Sequence, residues 1–253
     1  MDDKLPEGAA CGPDGCEVPA EAGAGPSLPT TPAALSRIDV ISDAICPWCW
    51  VGKRNLEAAL ELLAAEGEAF EVHWHPFQLN PDMPREGVDR ASYRAAKFGS
   101  EARSREADDR VAQAGAASGL EFRHDLMRRT PNTVDAHRVI HLAGVVGLQN
   151  QVVEALFRAY FQQGRDIGDR ATLAELASGA GMEAEEVLAY LESGAMEQEV
   201  RQEDEYFRRH GLSGVPTFAL DGHVVFSGAM PPAQMAEAFR RALGILRERA
   251  AAG

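Results

Sequence analysis

Cys46-Pro47-Trp48-Cys49 constrains this chain more than any other stretch. The C-x-x-C pair lies between a strand-like run at 37–42 (Arg-Ile-Asp-Val-Ile-Ser) and a helix-like run at 52–63. Such a junction sets the first cysteine at a helix N-terminus, where amides without intrahelical partners carry partial positive charge. Only a thiolate attacks a disulfide, and that charge stabilises a thiolate. Pro47 suits the first helical turn, where its missing N–H costs nothing. Cys46 is therefore expected to be the exposed nucleophile, and Cys49, one turn deeper and shielded, the resolving thiol. The competing reading is half of a zinc site, but zinc needs two more Cys or His ligands at similar spacing. The remaining cysteines are Cys11 and Cys16, far upstream. The expectation is a redox-active dithiol with no metal.

The formal net charge of −14 repels phosphate backbones and anionic membrane surfaces. Neither nucleic acid nor a membrane is expected as a partner, and no run is long and apolar enough to span a bilayer. Met1-Asp2-Asp3-Lys4-Leu5-Pro6-Glu7 has neither a basic n-region nor an apolar h-region. The expected location is the cytosol, where thiols are kept mostly reduced.

Residues 1–36 differ from the rest. Six of the fourteen prolines lie there, with Gly, Ala and acidic residues and almost no large apolar side chains. Such a segment buries too little surface to offset its ordering entropy, so a disordered tail is expected. Strand 37–42, helix 47–65 and strand 70–77 then make a βαβ unit with a parallel pair. Residues 78–90 hold Pro81, Pro84 and Gly87 and are expected as a loop. Residues 91–118, rich in Ala, Arg and Glu, are expected to be helical, apolar residues recur at helical spacing over 133–146 and 151–163, and further helices are expected at 171–180, 183–193 and 195–210. Runs at 217–220 and 223–227 flank Asp221-Gly222, a hairpin signal because a type I′ turn needs positive φ at both central residues. A helix at 231–248 closes the chain. The fold class is α/β: a thioredoxin fold (βαβ…ββα) over 37–90 and 212–250, with a large all-helical insertion over 91–211.

Several separated segments resemble one family. They are residues 43–52 around the C-x-x-C, Pro76-Phe77-Gln78-Leu79-Asn80-Pro81, Asn132-Thr133-Val134-Asp135-Ala136-His137-Arg138, Gly214-Val215-Pro216-Thr217-Phe218 and Ser227-Gly228-Ala229. Over residues 38 to about 245 the chain resembles the DsbA-like thioredoxin superfamily, in its cytosolic FrnE-like branch. The resemblance implies that Val215-Pro216 is a cis peptide facing the C-x-x-C, with Pro216 shaping a docking edge and the Val215 backbone free to pair with substrate. Pro47 and Trp48 are the implied neighbours of the substrate. The residues between the cysteines tune the potential in this superfamily: Gly-Pro in thioredoxin, Pro-His in the strongly oxidising DsbA. Trp48 cannot become a cation, so the resemblance implies a milder oxidant here. The superfamily also holds 2-hydroxychromene-2-carboxylate isomerases and kappa-class glutathione transferases, whose active position is typically Ser. This chain keeps both thiols, which favours disulfide exchange and is compatible with glutathione as a co-substrate.

Other candidates carry weaker signals. His73 and His75 share one strand face, without an evident third ligand, and are expected to be structural or solvent-facing. His137 and His141, one helical turn apart, could bind zinc or line the groove near Cys46; the surrounding motif favours groove or packing, with no catalytic role. Asp43 is expected as a solvated loop carboxylate, with thiolate repulsion or a proton relay as its other roles. Cys11 and Cys16 leave three readings open: an accessory redox pair, a metal clamp, or an incidental segment.

The leading functional reading is a thiol–disulfide oxidoreductase, extending to disulfide isomerisation, acting on protein disulfides with glutathione or thioredoxin-type reductants. Two rivals remain: a glutathione-dependent isomerase or transferase for a small aromatic or polyketide-like molecule, and a non-enzymatic holdase or partner-binding module.

Overall fold

The computed structural model describes residues 35–252. The expected tail, with Cys11 and Cys16, lies outside the described residues apart from Leu35 and Ser36, and Ser36 already opens the first strand. β1 (Ser36–Ser42) and β2 (Phe70–Pro76) run parallel, from Ser36 opposite Phe70 to Ser42 opposite Pro76. Parallel strands need a crossover, which α1 (Pro47–Ala64) supplies.

The next segment departs from the expected loop and long helix. Val88–Asp89 (β3) pairs antiparallel with Arg129–Thr130 (β4), a ladder too short to leave a periodic signal. Between them lie two helices, α2 (Arg90–Phe98) and α3 (Glu101–Ala117). The break between them has a local cause. Gly99 takes the left-handed conformation that ends a helix (φ 80°), and the Ser100 side chain accepts the Arg103 N–H to start the next. Then follow α4 (Val134–Val145), α5 (Gln149–Phe161), α6 (Arg170–Gly179), α7 (Ala184–Glu192) and α8 (Glu197–Arg209).

β5 (Thr217–Leu220) and β6 (His223–Ser227) form the expected hairpin. Asp221 and Gly222 have φ of 46° and 80°, the signs the type I′ turn requires. β5 pairs antiparallel with β1, giving one sheet in the order β2-β1-β5-β6, and α9 (Pro232–Ala252) packs along α1. β1 is thus flanked on both sides and buried from Ile38 onward.

Trp50, fully buried on α1, ties the helical insertion to this sheet layer. It stacks on Phe161 (centroids 5.8 Å apart, 13° between planes) and meets Phe122 edge-on at 5.1 Å. The adjacent Lys53 is equally buried and pairs with Glu57 one turn on and with Glu154 of α5 at 3.0 Å. A buried ammonium is tolerated only when paired in this way.

Candidate active site

Cys46 is the N-cap of α1, with extended dihedrals (φ −88°, ψ 113°) and Pro47 in the first turn. Its Sγ lies 3.6 Å from the carbonyl oxygen of Val215, toward which a thiol donates. The Val215-Pro216 bond is cis, as the resemblance implied. Pro216 packs directly on α1. A Cβ added at Gly52 would meet Pro216 Cγ at 2.9 Å and Phe218 Cζ at 3.3 Å, so glycine is what lets the helix and this loop approach. Chain folding thus joins residues that are far apart in sequence into one edge containing Cys46, Val215 and Pro216.

One expectation needs correction. Cys46 is not an exposed thiol: it is only 4% accessible, because it lies below the helix start and against the Val215 carbonyl. Trp48 is the exposed residue of the motif, at 40%. Cys49 is fully buried, as expected for the deeper thiol. Burial pushes the Cys49 thiol well up, and the neighbouring Cys46 sulfur adds to this, while the Ser42 hydroxyl and the Asp43 backbone amide pull it down.

Asp43 also departs from expectation. It is completely buried rather than a solvated loop carboxylate. Its carboxylate accepts the Leu79 N–H at 2.7 Å and lies 3.4 Å from Nε2 of His137, itself 3% accessible. The short segment between β1 and α1 is roofed by the chain after β2 and by α4, which exclude water from it. His141, one turn on, is exposed.

His73 stands half-exposed beside Glu71. His75 is a structural clamp: Nε2 is 2.7 Å from Asp39 on β1, and Nδ1 is 2.6 Å from Glu203 on α8. Carboxylates only accept hydrogen bonds, so both ring nitrogens must carry protons. Burial pulls the His75 pKa down, but the two carboxylates outweigh it and raise the value to about 9.

Cys46, Pro47, Trp48 and Val215 line a cavity of about 480 Å³. Its other wall comes from the helical insertion and is cationic: Arg90, Arg94 and Lys97 of α2, and Arg110 of α3. Asp108 is the acidic residue of that wall, and it holds Arg90 at 3.1 Å and Arg94 at 2.6 Å. Aromatic surface comes from Tyr93, Phe98, Tyr160 and Phe161. This concentration of positive charge occurs in a chain of net charge −14. Sequence reasoning missed it, although a signal was there: Arg90, Arg94 and Lys97 follow at i, i+4 and i+7, one face of a helix. Among the described residues, no group of three or more His, Cys, Asp or Glu side chains is placed to hold a metal ion.

The model of the DSBA-like thioredoxin domain matches residues 37–240. The chain is 34% identical to a probable DsbA oxidoreductase from Streptomyces coelicolor, whose crystal structure superposes with a TM-score of 0.75 over 83% of this chain and 90% of that one. It is 27% identical, over 76% of its length and 90% of the relative's, to the uncharacterized protein YwbO of Bacillus subtilis. The cytosolic disulfide reductase DsbM of Pseudomonas aeruginosa, solved with GSH, shares the fold at 21% identity (TM-score 0.58, covering 82% of this chain and 98% of that one). The match to the family model spans the sheet, the dithiol helix and the helical insertion alike, and the chain belongs to the DSBA-like thioredoxin domain family.

Proposed function

We propose that this protein is a thiol–disulfide oxidoreductase whose reactions extend to disulfide isomerisation. The observation that carries the reading is the placement of the Cys46 sulfur. It sits at the N-terminus of α1, 3.6 Å from the Val215 carbonyl and on the wall of a cavity, with Cys49 buried one turn behind it. The Cys46 thiolate attacks a substrate disulfide, forms a mixed disulfide and releases one substrate thiolate. Cys49 then attacks the Cys46 sulfur, closing the Cys46–Cys49 disulfide and releasing the second thiolate. Pro216 and the Val215 backbone form the docking edge, and Trp48 and Pro47 the adjoining rim.

The cationic wall supports a small anionic thiol or disulfide, such as glutathione, as the exchange partner at this cavity. Protein disulfides remain the larger substrates. The cytosol is the compartment that suits reduction or isomerisation, because it keeps the pair largely as dithiol. No helix among the described residues is long and apolar enough to cross a membrane.

The test is turnover of insulin and of glutathione disulfide by the full-length protein. Cys46→Ser is expected to abolish both, and Cys49→Ala to trap a mixed disulfide that mass mapping places on Cys46. The same cavity, with its aromatic and cationic lining, also favours a second reading: glutathione-dependent isomerisation or transfer on a small aromatic molecule. Retention of such an activity in Cys46→Ser would establish that alternative. Binding of unfolded chains independent of Cys46, without any turnover, would leave a holdase.

A further inference from the structure

The cavity beside Cys46 holds its cations in place with its own side chains. Arg94 lies over the Phe98 ring, 4.6 Å from its centroid. It donates to the Ser104 hydroxyl at 2.9 Å, to the Ser104 carbonyl at 3.1 Å and to Asp108 at 2.6 Å. Lys97 lies over the Tyr93 ring at 5.3 Å and donates to its hydroxyl at 2.9 Å, and that hydroxyl donates to Asn80. Arg90 donates through Nη2 to both oxygens of Asp108, at 3.1 Å each. Cations held by ring faces and ion pairs have less side-chain freedom left to lose when a ligand binds.

The charge of this wall is not balanced from within. The side chains of Arg90, Arg94 and Asp108 are only 12% to 16% exposed, so two guanidiniums share one carboxylate away from bulk water. Asp108 is the one carboxylate among the described lining residues, where Lys97 and Arg110 add two more cations. His124, 3.7 Å from Asp108, brings no negative charge. Burial holds its imidazole toward the neutral form, and Arg90 and Arg94 push the same way against Asp108. Poorly hydrated cations need a counter-charge. Asn80 Nδ2 is a further buried donor with no hydrogen-bond partner among the described residues, and Asn80 lines the same cavity. Buried donors nearly always find an acceptor. The space beside the Cys46 sulfur therefore offers donors and positive charge, and its carboxylate is already taken.

We propose that the small-molecule disulfide exchanged at this cavity carries phosphate and no ammonium, as the disulfide of coenzyme A does, with phosphate seated on Arg90, Arg94 and Lys97 and the sulfur at Cys46. The inference rests on the oxidoreductase reading above and narrows its small-molecule partner. Each half of glutathione disulfide bears two carboxylates and an ammonium, and that ammonium would enter a cation-rich wall whose carboxylate is occupied. A phosphate monoester brings about two negative charges and three acceptor oxygens, with no cation. Guanidinium forks match such oxygens in pairs. In the reaction, the Cys46 thiolate attacks one sulfur of the disulfide, an S–S bond to Cys46 forms, and the first coenzyme A thiolate leaves with the electron pair. Cys49 loses its proton to solvent, attacks the Cys46 sulfur and expels the second thiolate. The protein dithiol is oxidised by two electrons, and the coenzyme A disulfide is reduced to two thiols.

The test is stopped-flow oxidation of the full-length dithiol protein by three disulfides: that of coenzyme A, pantethine and glutathione disulfide. Pantethine has the same reacting arm as coenzyme A disulfide and lacks the phosphates. At low salt the second-order rate constant for coenzyme A disulfide is expected to exceed the other two at least about tenfold. Its advantage over pantethine should shrink as salt is added. Arg90→Gln is expected to lower the ratio of coenzyme A disulfide to pantethine about tenfold, and the more exposed Lys97→Gln about two- to fivefold. The ratio is taken within one protein, so a general loss of activity does not move it. Lys97→Gln keeps the test available if Arg90→Gln does not fold. A wild-type rate constant for coenzyme A disulfide no higher than for pantethine overturns the proposal. A faster reaction with glutathione disulfide, or a ratio unchanged in the folded variants, overturns it as well. Failure of Cys46 to react with any of the three, or with hydroxyethyl disulfide, would instead overturn the oxidoreductase reading itself.

Discussion

Cys46 lines the cavity beside it, so under the proposed function the side chains there would select which disulfides arrive. Lys97 and Arg110 are the exposed cations of that wall. Replacing either with Ala is expected to lower kcat/KM for glutathione disulfide about two- to fivefold at low salt, the worth of an exposed charge pair. Neutral hydroxyethyl disulfide should be unaffected, and the difference should close as salt screens it. Equal losses on both substrates would show that the charges do not select. Gly52 matters for a different reason. Its missing Cβ is what accommodates the Pro216 ring and the Phe218 side chain of β5. Gly52→Ala is expected to cost about 1–3 kcal/mol in urea unfolding, as overpacking usually does. It should also slow exchange, because Pro216 and Val215 must shift from the Cys46 sulfur. Wild-type stability and rates together in this variant would mean that the loop yields freely.

At the scale of elements, α2 carries Arg90, Arg94 and Lys97 to the cavity, and its start depends on one cap. Asp89 Oδ1 accepts the Ser92 N–H at 2.8 Å. Asp89→Ala is expected to cost about 1 kcal/mol of stability, by loss of that cap. It should also raise KM for glutathione disulfide, because fraying at this end displaces Arg90 and Arg94. Asp169 caps α6 in the same way, accepting the Thr172 N–H at 2.8 Å, and no α6 residue lines the cavity. Asp169→Ala should therefore lose similar stability with KM unchanged. A matching rise in KM in both variants would trace the effect to general loosening rather than to α2.

Across the whole molecule, His75 links the sheet to the helical insertion: Asp39 on β1 and Glu203 on α8 meet on one imidazolium on β2. Its pKa is raised to about 9 in the folded protein, against about 6.5 in an unfolded chain. The folded state therefore binds more protons between these values, and stability falls as pH rises through that window. The clamp contributes fully below about pH 6.5 and is lost as pH passes about 9. Denaturation midpoints measured from pH 6 to pH 10 should show this decline. His75→Gln should be less stable at the acid end and flatter across the window. A wild-type slope that persists in His75→Gln would assign the effect to the general repulsion of an acidic chain instead.

The local part of this architecture was legible in the residues. Pro47 after a strand-like run, the apolar stripe of residues 151–163 and Asp221-Gly222 between two β-runs each act within a few residues of chain, through dihedral preference and periodicity. They suffice to place the dithiol at a helix start and to order the βαβ and ββα parts of the fold, but not to show the β3–β4 ladder or the break between α2 and α3. What required tertiary structure was anything decided by water exclusion or by convergence from distant segments. Asp43 looked like a loop carboxylate because its roof, Leu79 and His137, comes from other parts of the chain. Cys46 looked exposed because the Val215 carbonyl that covers it lies 169 residues away. The cationic wall was readable as a stripe on α2, but only the folding of α2 and α3 brings that stripe to the cavity that Cys46 lines. Burial and electrostatic fit are properties of the assembled surface, and no local pattern encodes which surface a residue will meet.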